Sequence, residues 1–348
     1  MNSAEIIGSN WAEPTLSVGP VSLSGRAFLA PMAGVTDPAM RRIAERYGAS
    51  ATICEMITAA GVARGDRETA LRLGLSSDTN SAPRVIQIAA RDPREIAAAA
   101  RHAEAAGADW IDINMGCPCK RVTGGLAGAA LMKDLDQATA LIAAARAATS
   151  RPVSVKMRLG WDDASRNAPE LARRAEAEGV ALVTVHGRTR QQFYTGRADW
   201  SAIASVKRSI SIPVVANGDC QSPEDAAEML KASSADAVMI GRAAQGRPWL
   251  VGDIAHFLAT GRRRPAPSLA ERAAIAREHL EGLIAQMGEG AGLRHARKHL
   301  AAYVDHAFGD GSAEIANLRR RLVTATCPKE AFRLIDAIFT EATEEVAA

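Results

Sequence analysis

The stretch RVIQIAARDPREIAAAARHAEAAGADWIDINMGCPC, Arg84 to Cys119, contains a complete strand–helix–strand unit. Arg84–Ala90 and Asp109–Met115 are short Ile- and Val-bearing runs without strict polar alternation, the pattern of strands buried on both faces of a parallel sheet. Between them Asp92 is placed to cap a helix, Pro93 falls in its first turn, Glu95 follows, and Gly107 closes it. Proline just inside the start and glycine just past the end is the expected asymmetry. The second strand runs straight into Cys117-Pro118-Cys119. Two cysteines one residue apart at a strand mouth admit three readings: a metal site, a redox pair, or one reactive thiol beside a bystander.

The same unit recurs along the chain. Strands are expected at 26–32, 51–56, 84–90, 109–115, 152–158, 181–187, 212–218 and 236–242. The helix after the first begins at Thr36 or Asp37, has Pro38 in its first turn, and spaces Met40, Ile43, Ala44 and Tyr47 along one face; another begins at Ser222. Eight such alternations over about 230 residues predict an α/β fold, a (β/α)8 TIM barrel. A doubly wound open sheet is the alternative, but no strand runs into a G-x-G-x-x-G turn. TLSVGPVSLSG (15–25) reads as a hairpin at the barrel's bottom. GRRRPAPS (261–268) reads as a linker. Beyond it the pattern is helical only. The expected division is therefore 1–260, the barrel with its hairpin, and 261–348, a small all-helical C-terminal domain.

Composition narrows the class. Of 348 residues, 47% are hydrophobic and 23% charged, enough for a substantial core in a soluble chain. A net charge of +3 is too small to imply a nucleic-acid partner by itself. No apolar run reaches membrane-spanning length, and MNSAEIIGSNWAEP lacks a signal pattern, so a cytoplasmic protein without membrane attachment is expected. Five cysteines with no scaffold spacing fit a reducing compartment.

In a TIM barrel, functional groups come from the C-terminal ends of different strands. Those ends read Pro31-Met32-Ala33-Gly34, Glu55, Gln87, Asn114 with Cys117, Lys156 with Arg158, His186 with Arg188, Asn217-Gly218-Asp219 and Gly241-Arg242. Each alone has a structural explanation; together they point to a site. The last two motifs suit a phosphate, held by glycine N–H groups, a short helix N-terminus and the Arg242 charge. A phosphate site with a row of amide and cationic donors suits a phosphorylated planar cofactor, and Lys156 would face the electron-rich edge of a flavin. Another phosphate ester remains open on this ground.

A metal at the Cys-Pro-Cys loop needs three or four ligands, and Cys54, Cys220 and Cys327 are scattered, so no metal is expected there. A redox pair would read Cys-x-x-Cys. The best reading is a single acid–base thiol, Cys117, on a mobile Gly-rich loop, with Asn114 beneath it to hold a substrate amide and Cys119 a bystander.

APMAGVTD (30–37), INMGCPCKRV (113–122), VSVKMRLGW (153–161), VTVHGRTRQQFYTGRADW (183–200), PVVANGD (213–219) and IGRAAQGRPWL (240–250) together resemble the FMN-dependent tRNA-dihydrouridine synthases, most of all the bacterial DusB-like branch. The likeness covers roughly 15–255 and extends weakly through RHARKHLAAYV (294–304). It implies reduction of a uridine C5–C6 double bond in tRNA. NADPH would reduce FMN, flavin N5 would pass hydride to C6, and Cys117 would protonate C5. By the same resemblance Pro31, Met32 and Ala33 would line FMN, with Gln87, Lys156 and His186 near its ring. Asn217, Gly218, Asp219, Gly241 and Arg242 would hold its phosphate end. Asn114, Lys156, His186 and Arg188 would surround the uracil. A thiol suits the acid's role because its reference pKa of about 8.5 leaves it mostly protonated near neutrality. The base must leave its stack, which is cheapest in loops of folded RNA. Cys119, where the family usually has a small residue, and Cys220 after NGD depart from the pattern.

The competing reading is a barrel flavoenzyme that reduces a free pyrimidine or enone. Against it stand the basic clusters of the helical region: Arg262 to Arg264, Arg319 to Arg321, and Arg294, Arg297 and Lys298, spaced i, i+3, i+4 to share a helix face for tRNA phosphates. A retired, non-catalytic barrel is a third reading, opposed by the intact Cys117, Lys156 and His186. A monomer is expected.

Overall fold

The structure is a computed structural model that describes residues 16–73, 82–309 and 311–347, with side chains to 340. The stretch MNSAEIIGSNWAEP lies outside the described residues. The strands are β1 (Ser17–Val18), β2 (Val21–Ser22), β3 (Ala27–Leu29), β4 (Ala51–Ile53), β5 (Ile57–Thr58), β6 (Arg84–Ala89), β7 (Trp110–Met115), β8 (Val153–Arg158), β9 (Leu182–His186), β10 (Val214–Asn217) and β11 (Ala237–Ile240). All eight expected strands form. They run parallel in the order β4-β3-β11-β10-β9-β8-β7-β6, and β4 pairs with β6 to close the barrel. The two-residue β5 prolongs the second strand's path along β6.

Helix starts follow the local chemistry. Asp37 and Asp92 accept backbone N–H bonds at the heads of Pro38–Arg46 and Pro93–Ala105, and Ser222 does so for Pro223–Ser233. Losing one such cap costs about 1 kcal/mol.

Two faces of each strand bury two different cores. Ile86, Ile111, Val183 and Val214 pack outward against the helices. Their neighbours Val85, Trp110, Leu182 and Val215 point into the lumen, where Leu16, Val18 and Leu23 of the β1–β2 hairpin meet them. The hairpin therefore plugs the bottom, as its position in the sequence suggested. Because side chains alternate along a strand, residues two and four positions further on climb the same lumen toward the mouth.

After the barrel, helices Leu269–Met287, Glu289–Phe308, Ala313–Thr324 and Pro328–Ala347 share their own core, which also includes Ile43 and Trp249 of the barrel. The helical region thus packs on the barrel rather than hanging from a linker. The linker itself is held: Arg263 pairs with Glu224, and the Arg264 guanidinium donates to the Tyr47 carbonyl. No helix among the described residues is long and apolar enough to cross a membrane.

Candidate active site

The lumen changes character with height. Above the apolar floor sits a polar layer, Gln87, Asp112, Ser154 and Thr184, all buried. Gln87 pairs in register with Asp112, and Asp112 with Ser154. Asp112 accepts from Gln87 Nε2 at 2.7 Å and from Ser154 Oγ at 2.6 Å. Burial pushes its carboxyl up to about 6, against the pull of those two donors and Lys156. Gln87 Oε1 in turn accepts from Asn114 Nδ2 at 2.8 Å. This fixes the Asn114 amide with its oxygen upward.

That oxygen organises the cysteine loop. Asn114 Oδ1 accepts the backbone N–H of Gly116 at 3.1 Å and of Cys117 at 2.9 Å. The Cys117 carbonyl accepts from Ala129 N–H at 3.1 Å. Gly128 makes this possible: its φ is +60°, and a Cβ there would lie 2.9 Å from the Cys117 oxygen. From the other side Arg158 donates to the Gly116 carbonyl at 2.8 Å while also holding the carbonyls of Thr189 and Phe193. The loop read as mobile is therefore built as a short helix, Lys120–Thr123, and a 3-10 turn, Gly128–Lys133, with Cys117 tied at both its N–H and its carbonyl. Cys117 is half-buried and Cys119 exposed. Burial pushes the Cys117 thiol above its ordinary range, against the pull of the Cys119 backbone N–H and the Arg158 and Lys156 charges, so it stays protonated at neutral pH.

The opposite wall is cationic. Lys156 donates to Asn217 Oδ1 at 2.9 Å, and Asn217 Nδ2 reaches the Met239 carbonyl at 2.8 Å. Burial first, and Arg158 second, bring the Lys156 amine down to about 8. Burial and the surrounding cations Lys156, Arg158 and Arg188 hold His186 well below its usual value, so it is neutral. Gly218 needs no side chain: at φ +121°, a Cβ would lie 2.7 Å from Ala198 Cβ and 2.9 Å from His186 Cδ2.

Asp219 and Arg188 form a bidentate pair, 3.0 and 2.6 Å, and Arg188 also donates to the Thr195 and Gly196 carbonyls and lies 3.3 Å from His186 Nε2. With 1% of its surface exposed, Arg188 is spent inside the protein. It braces the loop 195–198 and also lines the cavity at the mouth. Burial pushes the Asp219 carboxyl up, but the Arg188 and Ala198 donors outweigh this and hold it below the usual carboxylate range. What Asp219 can offer an anion is backbone, not carboxylate. Arg242, mostly exposed, sits 3.5 Å from Asp219 and 4.9 Å from the Tyr194 ring centroid. A cavity of about 680 Å³ opens here, lined among others by Tyr194, Arg197, Trp200, Asp219 and Arg242.

The structure thus gathers Asn114, Cys117, Lys156, His186, Asn217, Gly218 and Asp219 around one mouth. Pro31 and Met32 are half-buried and Ala33 exposed in the turn after β3, where Thr36 Oγ1 accepts the Met32 N–H. Met32 Sδ also lies 3.7 Å from where a Gly241 Cβ would stand, so nothing in the protein's own packing fills that position. Gln87 has no exposed surface and supports Asn114 from below.

Arg294, Arg297 and Lys298 do not share one surface. Arg294 is exposed, Arg297 turns inward to the Ala325 carbonyl, and Lys298 is half-buried with its amine 3.6 Å from where a Gly34 Cβ would stand, at the barrel mouth. Arg319 is engaged by Asp305, whereas Arg262, Arg320 and Arg321 are exposed and form no ion pair among the described residues. Sequence reading missed the Asp112 layer and the bracing role of Arg158. Asp112, Ser154 and Thr184 stand two positions before the mouth residues Asn114, Lys156 and His186, which was the available signal.

A family model described as dihydrouridine synthase (Dus) matches residues 28–343. A probable tRNA-dihydrouridine synthase of Rickettsia conorii is 45% identical, covering 83% of this chain and 87% of its own. The tRNA-dihydrouridine synthase B of Xanthomonas axonopodis pv. citri is 47% identical over 84% and 87%. A probable tRNA-dihydrouridine synthase of Rhodobacter capsulatus is 44% identical over 94% and 98%. Among solved structures, histamine dehydrogenase from Rhizobium sp. 4-9 superposes with TM-score 0.55 at 16% identity, over 78% of this chain and 50% of that one. That last likeness speaks to the barrel alone. The family match and the relatives settle the matter: the chain belongs to the dihydrouridine synthase family.

Proposed function

We propose that this protein reduces the C5–C6 double bond of uridines in tRNA, with FMN as resident cofactor and NADPH as reductant, and with Cys117 as the proton donor to C5. The observation that carries the reading is Cys117 itself. Its thiol is kept protonated by burial and its backbone is fixed through Asn114, across a mouth whose far wall is cationic. FMN, when bound, supplies the hydride. The donors fit a phosphorylated ring. Lys156 brings a positive charge to an electron-rich edge, with Gln87 and neutral His186 beside it. Pro31, Met32 and Ala33 offer a mostly apolar wall. Asn217, Gly218, Asp219, Gly241 and Arg242 offer backbone N–H groups, an unfilled Cβ position and an exposed charge for the phosphate. Asn114, Lys156 and His186 would position the uracil.

In this reading residues 1–260 are the catalytic barrel and 261–348 the helical tRNA-binding domain of a cytoplasmic monomer. The test is incubation of tRNA lacking dihydrouridine with the purified protein and NADPH, followed by nucleoside mass spectrometry. Gain of two hydrogens on uridine is expected. NADPH consumption that is equally fast with free uracil or an enone would instead favour a small-molecule reductase.

Phosphate contacts release counterions, so tRNA affinity should fall steeply with salt. Arg262, Arg294, Arg320 and Arg321 are among the exposed cations of the helical region with charge to offer. Replacing Arg294, Arg320 and Arg321 with Ala should weaken binding and flatten the log–log salt slope by about 0.7–0.9 units per lost contact. Flavin content should not change. Equal slopes for variant and parent would remove these arginines from the interface.

Lys156 gives a pH signature. Its amine is charged below about 8 and neutral above. Turnover at saturating tRNA should therefore decline as pH rises through about 8, and Lys156→Arg should move that decline out of the accessible range. A rate profile flat from pH 7 to roughly 9 would show that the Lys156 charge is not used.

A further inference from the structure

We infer that Asp37, His295 and His299 bind a divalent transition-metal ion of the zinc class, which ties the helical region to the first loop of the barrel. Asp37 belongs to the loop after β3, and His295 and His299 lie on helix Glu289–Phe308, four residues apart on one face. One ligand atom from each falls within 4.8 Å of the others. His299 Nε2 stands 3.4 Å from Asp37 Oδ2. Two ligands on one tetrahedral zinc with bonds of about 2.1 Å stand roughly 3.4 Å apart, so this pair is already at ligand spacing. A turn of the half-buried His295 ring closes the wider gaps.

The second observation is a shortage of partners. His299 is 1% exposed, and neither of its ring nitrogens has a hydrogen-bond partner; His295 Nε2 is also buried without one. An unpartnered buried imidazole is costly, and a metal would satisfy it. The surroundings are arranged as metal sites arrange them. Asp37 Oδ1 is used by the Met40 N–H, and Oδ2 is the oxygen that faces the histidines. His279 Nε2 stands 3.2 Å from Oδ2 and its Nδ1 3.1 Å from the Tyr303 hydroxyl, so the carboxylate is oriented from behind. His295 stands against the Gly34 backbone, and its Nε2 is buried without a partner. Two imidazoles and one carboxylate favour zinc and its neighbours over magnesium or calcium.

The experiment uses the full-length protein, stripped with chelator and titrated with zinc sulfate, then with cobalt(II) as a spectroscopic probe. One zinc per chain is expected, with a Tm that climbs with zinc concentration as linkage requires. Cobalt should give d–d bands without a thiolate charge-transfer band. His295→Gln should weaken zinc binding roughly tenfold or more, and because this ring is only half-buried the variant should fold. His299→Asn is the companion if it does not. A zinc-independent Tm, a zinc response retained in full by His295→Gln, or a thiolate band that places the ion on the cysteines would each overturn the assignment.

Discussion

Cys117→Ala is expected to bind flavin and oxidise NADPH normally while losing dihydrouridine formation by about 10²–10⁴-fold, the range for removal of a general acid. The reasoning starts from the loop. Cys117 is held by backbone: its N–H on Asn114, its carbonyl on Ala129, and the adjacent Gly116 carbonyl on Arg158. Deleting the sulfur disturbs none of these, so the variant isolates the proton. The thiol is protonated at neutral pH because burial raises it. An aspartate at the same position would be ionised there and should not rescue. Cys119 is exposed, and Cys119→Ala should be nearly silent. Single-turnover mass spectrometry of tRNA, beside NADPH oxidation without tRNA, separates the two half-reactions. If Cys119→Ala abolishes product and Cys117→Ala does not, the roles within the loop are reversed.

The barrel was legible because its strands are continuous apolar runs and its helices are punctuated by Asp, Ser, Pro and Gly. Those signals are local, and the cap at Asp92 and the strand at Trp110–Met115 depend on nothing distant. The mouth residues were legible for the same reason, since a strand's end can be found without its neighbours. What sequence does not reveal is pairing across the fold. Arg188 reads as a free cation after a strand, yet its guanidinium is consumed by Asp219, 31 residues away. Arg297 shares helical spacing with Arg294 and Lys298, but spacing does not say which neighbour covers which side chain, and Ala325 captures it. Asp37 was recognised as a cap through one oxygen; the other faces His279, 242 residues later. The polar layer at Asp112 escaped because its one mark, the two-residue step from Asp112 to Asn114, Ser154 to Lys156 and Thr184 to His186, emerges only when several strands are compared.

Asp219→Asn should be the most damaging single change outside the thiol, because it strands a buried cation. Arg188 is almost fully covered, and its two bonds to the carboxylate are its only anionic contact among the described residues. Breaking a buried pair from one side costs about 3–5 kcal/mol. Asp219 keeps some contact with solvent and with Arg242, so the lower end of about 3 kcal/mol is expected, several degrees in Tm. The loss should spread to the site. The same carboxylate receives the Ala198 N–H at 2.7 Å, and Arg188 holds the Thr195 and Gly196 carbonyls, so the segment that walls the cavity loses both anchors. FMN affinity should fall along with stability. Arg188→Met provides the control. It removes the cation, leaves Asp219 with Arg242, and fills the space with apolar volume, a replacement that buried pairs often tolerate. The double variant Asp219→Asn/Arg188→Met should therefore be more stable than Asp219→Asn alone, with a coupling of about 1–3 kcal/mol in a thermal-denaturation cycle. Simple additivity of the two losses would mean that the carboxylate supports the loop through Ala198 alone, and that the charge on Arg188 is satisfied by its carbonyl partners.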